Sequence, residues 1–483
     1  MAFAAARAAA SATIGLGIDE TYTVVVSRHL QLSYFDHPPL HQWIAHFGAA
    51  AFGEGAGARA PFIALFAATG WLLFTLTRRL FGSRAGLVAL VALNVSPFFF
   101  LSAGGWVVPD GPLLFALAGL GNCAVALFLE DRSPSLARWL MLGAWIGLAG
   151  LSKYSAALSA LGLAIFALST PRGRSALTTP GPYLAILIAV VVVAPVFIWN
   201  AENDWVSFAF QGGRGAPSGR LRFDQVGAMA AGEAAFLAPW LAVPLVAGLV
   251  AAMRRAGDDP RARFLLALAL PPILVFTITP LWSARGLPHW AMPGWFFAFP
   301  LAAAWATRRY DNLTRAGIVS AALMALVALL LWAQAAFGLW TRLLPTPENM
   351  IDPTIELLGW DALSISPVFR THPDAPVFAA KWSDGGKIAL ALGRTRPVVV
   401  ASQDPRGMAF LGGSEPYVGK DVLIVAPEDR MSATLDRLRP YFQTVDAPET
   451  VSVERGGREA LRLVVVFAHS LTRPYKLPYP RSQ

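Results

Sequence analysis

The sequence predicts a polytopic α-helical membrane protein followed by a smaller soluble α/β domain. Only 14% of the 483 residues are charged and 55% are hydrophobic, whereas a soluble globular protein carries roughly 25% charged residues. The Arg residues also cluster in short segments between long apolar runs, a pattern typical of cytoplasmic loops in membrane proteins. The net charge of +9 therefore indicates membrane topology rather than a nucleic-acid partner.

Apolar runs that suit membrane spans recur from the amino terminus to about residue 340. The first, Ala2–Ile18, is short and contains Arg7, so a cleaved signal peptide is the alternative interpretation. Under either interpretation the residues that follow lie outside the cytoplasm. The later runs cover approximately 60–77, 85–103, 111–129, 139–151, 155–169, 182–199, 227–252, 264–282, 291–307 and 316–340.

The apolar stretch 139–169 is interrupted by the polar sequence Ser152-Lys-Tyr-Ser155. A single long helix here would place the later Arg-rich loops outside the cytoplasm, whereas two short spans joined by a hairpin keep them inside. The hairpin therefore predicts about eleven spans, with the amino terminus inside and the carboxyl tail outside. It also puts Lys153 at an apex near the outer membrane surface.

From about residue 342 the composition changes to β-branched runs separated by helix-competent segments. The runs are 396–401, 422–426 and 461–467, and the segment 431–441 is polar. Strands that alternate with helices predict an α/β fold. The predicted domains are residues 1–341, with a first outer loop at about 19–58, and residues 342–483 on the outer face.

The densest group of titratable residues lies in this first outer loop. Asp19 and Glu20 directly follow the first apolar run, and Asp36 and His37 lie further along. A carboxylate where the chain leaves the bilayer is partly desolvated and suits a general base; the alternative is that Asp19 caps a helix. Asp110 stands at the outer start of a later span, so acids from three places are expected on one face.

Cations are expected on the same face, where they would suit a phosphate group. Arg is well matched to phosphate because its guanidinium donates two parallel hydrogen bonds. The alternative is that these side chains reach the interface only to place their charges in water. The candidates are Lys153, Arg214, Arg220, Arg222 and Arg285, together with His289.

No metal site is predicted from the sequence. His37 and His41 have the i, i+4 spacing of a helical zinc site, but Pro38 and Pro39 prevent a regular helix between them. The single cysteine, Cys123, lies inside an apolar run and provides neither a disulfide nor a cysteine metal site.

Several short motifs resemble the bacterial membrane glycosyltransferases of the GT-C class. The resemblance is closest to the branch related to protein O-mannosyltransferases and to the aminoarabinose and galacturonic acid transferases of lipid A, and it covers roughly residues 15–300. The motifs are Asp19-Glu20, Tyr34-Phe-Asp-His-Pro-Pro-Leu40, Pro109-Asp110, Leu151-Ser-Lys-Tyr154 and Trp199-Asn200.

The resemblance implies an enzyme that takes a polyprenyl-phosphate-linked sugar as its substrate, without a cofactor. It would transfer the sugar, usually with inversion, to an acceptor at the outer face of the cytoplasmic membrane. The acceptor class stays open between a glycolipid such as lipid A, a polysaccharide and a protein hydroxyl, and metal dependence stays open as well. The alternative function is a transporter or flippase for a lipid-linked sugar.

The resemblance also assigns roles to individual residues. Asp19 matches the catalytic acid of the first outer loop and Glu20 its neighbour, while Asp36 and Asp110 match two further acids. His37 stands where several relatives have a lysine. The residues expected to contact the donor phosphate or sugar are Tyr34, His37, Lys153, Asn200, Arg214, Arg285 and His289.

Overall fold

A computed structural model describes residues 2–130, 135–217, 219–283, 286–343 and 352–479. The chain divides into two compact units that alternate along the sequence. The first unit comprises Met1–Ala8, Gln31–His41 and Pro61–Val327. The second comprises Ala9–Leu30, Gln42–Ala60 and Ala328–Gln483.

The first unit is helical. Its α-helices are Ala60–Phe81, Ser83–Asn94, Pro97–Gly105, Asp110–Phe128, Leu136–Ser152, Ala156–Ser169, Pro171–Ala176, Gly181–Glu202, Val206–Arg214, Phe223–Leu237, Pro239–Met253, Pro260–Ile278, Met292–Arg309 and the first part of Thr314–Phe337. Short 3₁₀ turns at Thr279–Leu281 and Pro288–Ala291 connect some of them.

The described residues contain 5 helices that are long and apolar enough to cross a membrane, or 7 if each bent pair counts as one span. Two shorter apolar helices, Leu136–Ser152 and Ala156–Ser169, meet at Lys153 and confirm the predicted break in the stretch 139–169. The predicted first span forms a helix only at Ala2–Thr13, because two glycines follow within four residues. The count of eleven spans stays a prediction.

Two predicted spans are bent rather than straight. Ser83–Asn94 and Pro97–Gly105 meet at 76°, and Phe223–Leu237 and Pro239–Met253 meet at 106°. At the second bend Ala238 has φ 76 and precedes Pro239. A residue before proline is disfavoured in the helical conformation, so the apolar run continues through a sharp turn that hydropathy alone does not reveal.

Small residues bring helices of the first unit into backbone contact. A Cβ at Gly143 would lie 2.3 Å from the carbonyl oxygen of Ala185, and one at Gly147 would lie 2.5 Å from Val192 Cβ. Both glycines lie on Leu136–Ser152 and face Gly181–Glu202. Glycines at such spacing permit the close packing typical of membrane helices, and here they fix the position of the helix that ends at Ser152, directly before Lys153.

The second unit contains a mixed sheet flanked by helices, which confirms the predicted α/β tail. The strands are β1 Val377–Ala379, β2 Val398–Val400, β3 Val422–Pro427, β4 Phe442–Val445, β5 Glu449–Arg455 and β6 Arg458–Leu471. Strands β1 and β2 pair in parallel, as do β1 and β3, whereas β6 is antiparallel to β3, β4 and β5. The order is β2-β1-β3-β6-β4, with β5 also paired to β6.

Helices of the second unit include segments far from the tail in sequence. Ile18–Ser27 packs on Trp382–Leu392, with the Tyr22 and Trp382 rings 5.2 Å apart. The second unit is therefore built from three segments of the chain, whereas the sequence predicted one continuous domain that begins after residue 341. Its remaining helices and 3₁₀ turns are Ala56–Arg59, Leu339–Leu343, Pro353–Leu357, Ala362–Ile365, Pro367–Thr371, Arg406–Leu411, Glu415–Tyr417, Glu428–Leu438 and Arg439–Tyr441, with the last part of Ala2–Thr13, most of Leu40–Phe52 and the last part of Thr314–Phe337.

Candidate active site

Asp110 and Lys153 form a buried ion pair in the first unit. Asp110 is the first residue of helix Asp110–Phe128, and Lys153 follows helix Leu136–Ser152 in an extended conformation. The Lys153 Nζ donates to the Asp110 Oδ1 at 2.9 Å, and the two side chains are 10% and 7% exposed. A carboxylate in the first turn of a helix also lies at the positive end of the helix dipole. The ammonium and the dipole both stabilise the negative charge.

Three histidines surround this pair and interact with its charges. His37, His41 and His289 each interact electrostatically with Asp110, and the last two also with Lys153. The rings of His37 and His41 pack edge to face with centroids 5.6 Å apart. Burial lowers the pKa of His41 to about 3 and that of His289 to about 4. Both of these rings are therefore neutral at neutral pH.

Asp36 and Arg214 complete this cluster. The Asp36 side chain is buried and interacts with His41. Arg214 interacts with His289, and its guanidinium carbon lies 4.7 Å from the centroid of the Phe210 ring. The first unit thus brings together residues from five separate segments of the sequence: Asp36 and His37, Asp110, Lys153, Arg214 and His289.

Helix Val206–Arg214 holds the loop that carries Asp36. The Ser207 hydroxyl donates to the Tyr34 carbonyl oxygen at 3.1 Å. One turn later, the Gln211 amide donates to the Asp36 carbonyl oxygen. These bonds fix the backbone of the loop and leave the Asp36 carboxylate to be oriented by its neighbours.

Two of the predicted substrate contacts belong to the framework of the site. Asn200 is fully buried; its Nδ2 donates to Val196 O at 2.9 Å and its Oδ1 accepts from Ser207 N at 3.2 Å. Tyr34 is also buried, its hydroxyl accepts from Gln31 N at 3.3 Å, and burial raises its pKa to about 12. We expect both residues to support the loop. Arg285, a further predicted contact, lies outside the described residues.

The adjacent acids Asp19 and Glu20 lie in the second unit and have different surroundings. Both stand in the first turn of helix Ile18–Ser27, where Asp19 is exposed. Glu20 is 1% exposed and forms a two-pronged ion pair with Arg59, with distances of 2.7 Å and 2.5 Å. Both oxygens of the Glu20 carboxylate are therefore occupied by hydrogen bonds from the buried Arg59 guanidinium.

Comparison with known proteins adds family information to this geometry. The family model described as dolichyl-phosphate-mannose-protein mannosyltransferase matches residues 36–199, a stretch that includes Asp110 and Lys153. Lipid A galacturonosyltransferase RgtD of Rhizobium johnstonii is 26% identical over 314 residues, which is 60% of this chain and 60% of the relative. The alignment thus spans less than two thirds of that relative's length.

Solved structures extend the likeness along the chain. ArnT from Cupriavidus metallidurans, bound to undecaprenyl phosphate, superposes with a TM-score of 0.64 at 18% identity over 96% of both chains. The oligosaccharyltransferase of Archaeoglobus fulgidus in its apo form reaches 0.50 at 13% identity, over 91% of this chain and 72% of the other. The family model, RgtD and these two structures all support the resemblance to the GT-C class of membrane glycosyltransferases that the sequence motifs indicated. At such identities the structural likeness itself shows the fold alone.

Two buried cations in the structure, Arg59 and Lys387, were not singled out as site residues by the sequence. Arg59 lies in a Gly- and Ala-rich segment just before a long apolar helix, and a lone Arg in such a segment was the available signal. Lys387 lies within helix Trp382–Leu392, where it is 3% exposed and donates to two backbone carbonyl oxygens. Among the described residues, no group of three or more His, Cys, Asp or Glu is arranged to hold a metal ion.

His41 leads to a prediction about acid stability. Its pKa of about 3 in the folded chain lies below the unfolded value of about 6.5. Between these values the unfolded chain binds more protons, so the free energy of unfolding falls as pH falls, by up to about 1.4 kcal/mol per pH unit. We expect His41→Gln to flatten the dependence of the thermal midpoint on pH in this window.

The control is His29→Gln, which makes the same substitution at an exposed histidine and measures the effect of the side-chain exchange itself. The measurement is thermal unfolding of detergent-purified protein between about pH 4 and pH 7, the window set by the two pKa values. An unchanged slope in His41→Gln would show that protonation of this ring does not oppose folding.

Proposed function

We propose that this chain is a GT-C glycosyltransferase that transfers a sugar from a polyprenyl-phosphate donor to a hydroxyl acceptor at the outer face of the cytoplasmic membrane, where its sheet unit would also lie. The observation that carries the proposal is the buried cluster around Asp110 and Lys153. Charged groups inside an apolar helical unit are costly and are retained mainly for function. The likeness to ArnT, whose structure contains undecaprenyl phosphate, and to RgtD, a lipid A galacturonosyltransferase, supports this donor and a glycolipid acceptor.

The cations of the cluster suit the donor phosphate. An ammonium has three N–H donors, and that of Lys153 gives one to Asp110. Arg214 offers a planar guanidinium that matches two phosphate oxygens. His37 and His289 add imidazole N–H groups. A leaving phosphate stabilised in this way needs no proton from the protein, because its conjugate acid is already strong.

Asp19 is the proposed general base. In the transfer step its carboxylate takes the proton of the acceptor hydroxyl while the acceptor oxygen bonds to the anomeric carbon. The bond from that carbon to the phosphate oxygen breaks, and polyprenyl phosphate leaves with the electron pair. One displacement of this kind inverts the anomeric centre. Asp36 and Asp110 are the proposed orienting acids.

The alternative is a transporter or flippase for the same lipid-linked sugar. Transporters commonly place charged groups in the middle of the membrane on broken helices. The acid that the sequence puts within a span, Glu233, accepts hydrogen bonds from the Thr277 hydroxyl and the Trp295 indole, each at 2.7 Å. Both carboxylate oxygens are thus engaged by neighbouring helices, which favours a role in packing over one in a transport pathway.

The experiment that tests the proposal offers a panel of radiolabelled polyprenyl-phosphate sugars to the purified full-length protein in detergent. Lipid A, a polysaccharide and a protein substrate are supplied in parallel as acceptors. We expect one donor to be consumed and its label to appear in one acceptor, with an inverted anomeric configuration by NMR. If no donor is consumed, while reconstituted vesicles accumulate a labelled donor on the far leaflet, the chain is a flippase and the proposal fails.

A further inference from the structure

The residues just before Asp19 form a loop without regular secondary structure, Ile14 to Gly17. The Arg59 guanidinium donates to the carbonyl oxygens of Ile14 and Gly15, each at 2.9 Å. The Lys387 ammonium donates to the carbonyl oxygen of Leu16 at 2.5 Å. Three successive carbonyls are therefore held by two buried cations.

Glu20 completes this arrangement. Its Oε2 accepts from Gly17 N at 2.8 Å, while both of its oxygens accept from Arg59. The carboxylate thus neutralises Arg59 and closes the end of the loop. Because Glu20 directly follows Asp19 on the same helical turn, any movement of the pair with Arg59 also moves the Asp19 backbone.

Packing alone does not fix the loop. A cavity of about 310 Å³ lies against Gly15, Leu16 and Lys387. With open space on that side, the loop has room to move unless polar bonds hold its backbone. Those bonds are strong, because hydrogen bonds from charged groups contribute about 1.5–3 kcal/mol each.

Lys387 reaches the loop from a helix of the sheet unit. A Cβ at Gly386 would lie 2.9 Å from the backbone nitrogen of Tyr22, so Trp382–Leu392 makes backbone contact with Ile18–Ser27. The Tyr22 hydroxyl accepts from Gly407 N at 2.9 Å, beyond the end of that helix. The Lys387 ammonium also donates to Leu358 O at 2.8 Å, so one side chain joins two segments of the tail to the loop.

We propose that Glu20, Arg59 and Lys387 are positioning residues, which hold the backbone in front of Asp19 so that its carboxylate meets the acceptor hydroxyl. In this proposal the carboxyl-terminal sheet unit contributes to catalysis through Lys387, which helps to position Asp19. The inference rests on the proposed function, in which Asp19 is the base. A base displaced by about 1 Å costs on the order of a hundredfold in rate, so a modest loosening of the loop has a measurable effect.

The test compares Lys387→Met with Lys387→Arg in the full-length protein. We expect Lys387→Met to lower kcat about tenfold or more and to leave the donor KM within about twofold, since the donor contacts are unchanged. Hydrogen exchange of the backbone amides at residues 14–17 should become faster. Lys387→Arg keeps the charge and the donors and should retain most of kcat.

Ile388→Ala is the matched control for simple destabilisation. Ile388 is fully buried on the same helix, so its truncation lowers the thermal midpoint without removing a bond to the loop. We expect it to leave kcat of the folded enzyme and the exchange of residues 14–17 as in the wild type. A loss of kcat equal to that of Lys387→Met would show that any damage to this helix has the same effect, and would overturn the proposal.

Hydrogen exchange at residues 14–17 distinguishes a failure of this inference from a failure of the proposed function. If the wild type consumes no donor, the transfer function fails, but faster exchange in Lys387→Met would still establish that Lys387 holds the loop. If the wild type is active and Lys387→Met keeps both its kcat and its slow exchange, the positioning role is wrong and the proposed function stands.

Discussion

Asp19→Asn is expected to abolish sugar transfer while the protein stays folded. Removal of a general base lowers the rate by about 10²–10⁴-fold, and asparagine retains the shape of the side chain but cannot accept the proton. Asp19 is exposed in the first turn of Ile18–Ser27. An exposed substitution of this kind shifts the free energy of unfolding by no more than about 0.5 kcal/mol. Initial rates with the consumed donor, beside thermal unfolding, provide the measurement.

Two variants give this prediction its controls. Asp429→Asn replaces another exposed acid in the first turn of a helix, Glu428–Leu438, and should leave both activity and stability unchanged. Glu20→Gln changes the neighbouring acid but leaves the buried Arg59 charge without its partner, so it should destabilise the chain as well as slow it. Activity retained in Asp19→Asn would remove Asp19 from the role of base.

The fold class could be predicted from composition and periodicity, because both can be recognised within short stretches of the sequence. Long apolar runs report helices in a membrane, and the β-branched runs at 396–401, 422–426 and 461–467 contain or overlap β2, β3 and β6. The break at Lys153 was also predictable, since polar residues interrupt an otherwise apolar stretch. The sharp turn at Ala238 was less visible, because the residues on both sides of it are apolar and only Pro239 marks it.

The sequence did not reveal which charged side chains form ion pairs with one another. Asp110 and Lys153 are 43 residues apart, and Glu20 and Arg59 are 39 apart. No local periodicity links such positions, because their proximity depends on how helices pack. The position of acids at the ends of apolar runs was therefore enough to select them as candidates. It did not distinguish Asp19, which is exposed, from Glu20, which is buried beside a cation.

Lys153→Met is expected to have the largest effect on stability together with a loss of activity. It removes the ammonium and leaves the Asp110 carboxylate buried without this partner. Breaking one side of a buried ion pair costs about 3–5 kcal/mol, a large share of the roughly 5–15 kcal/mol that keeps a domain folded. Donor binding should weaken too, because a cation proposed for the phosphate is lost. Thermal unfolding and equilibrium binding of the labelled donor measure the two effects.

A second substitution separates stability from function at this pair. In Asp110→Asn/Lys153→Met both charges are absent, so the penalty for an uncompensated buried charge disappears and the thermal midpoint should return towards that of the wild type. Donor binding should not return, because the cation is still missing. If the double variant also regained donor binding and turnover, the pair would serve only to hold Asp110–Phe128 against Leu136–Ser152. Lys153→Arg keeps the positive charge. It should therefore preserve more donor affinity than Lys153→Met, both when residue 110 is Asp and in the Asp110→Asn background.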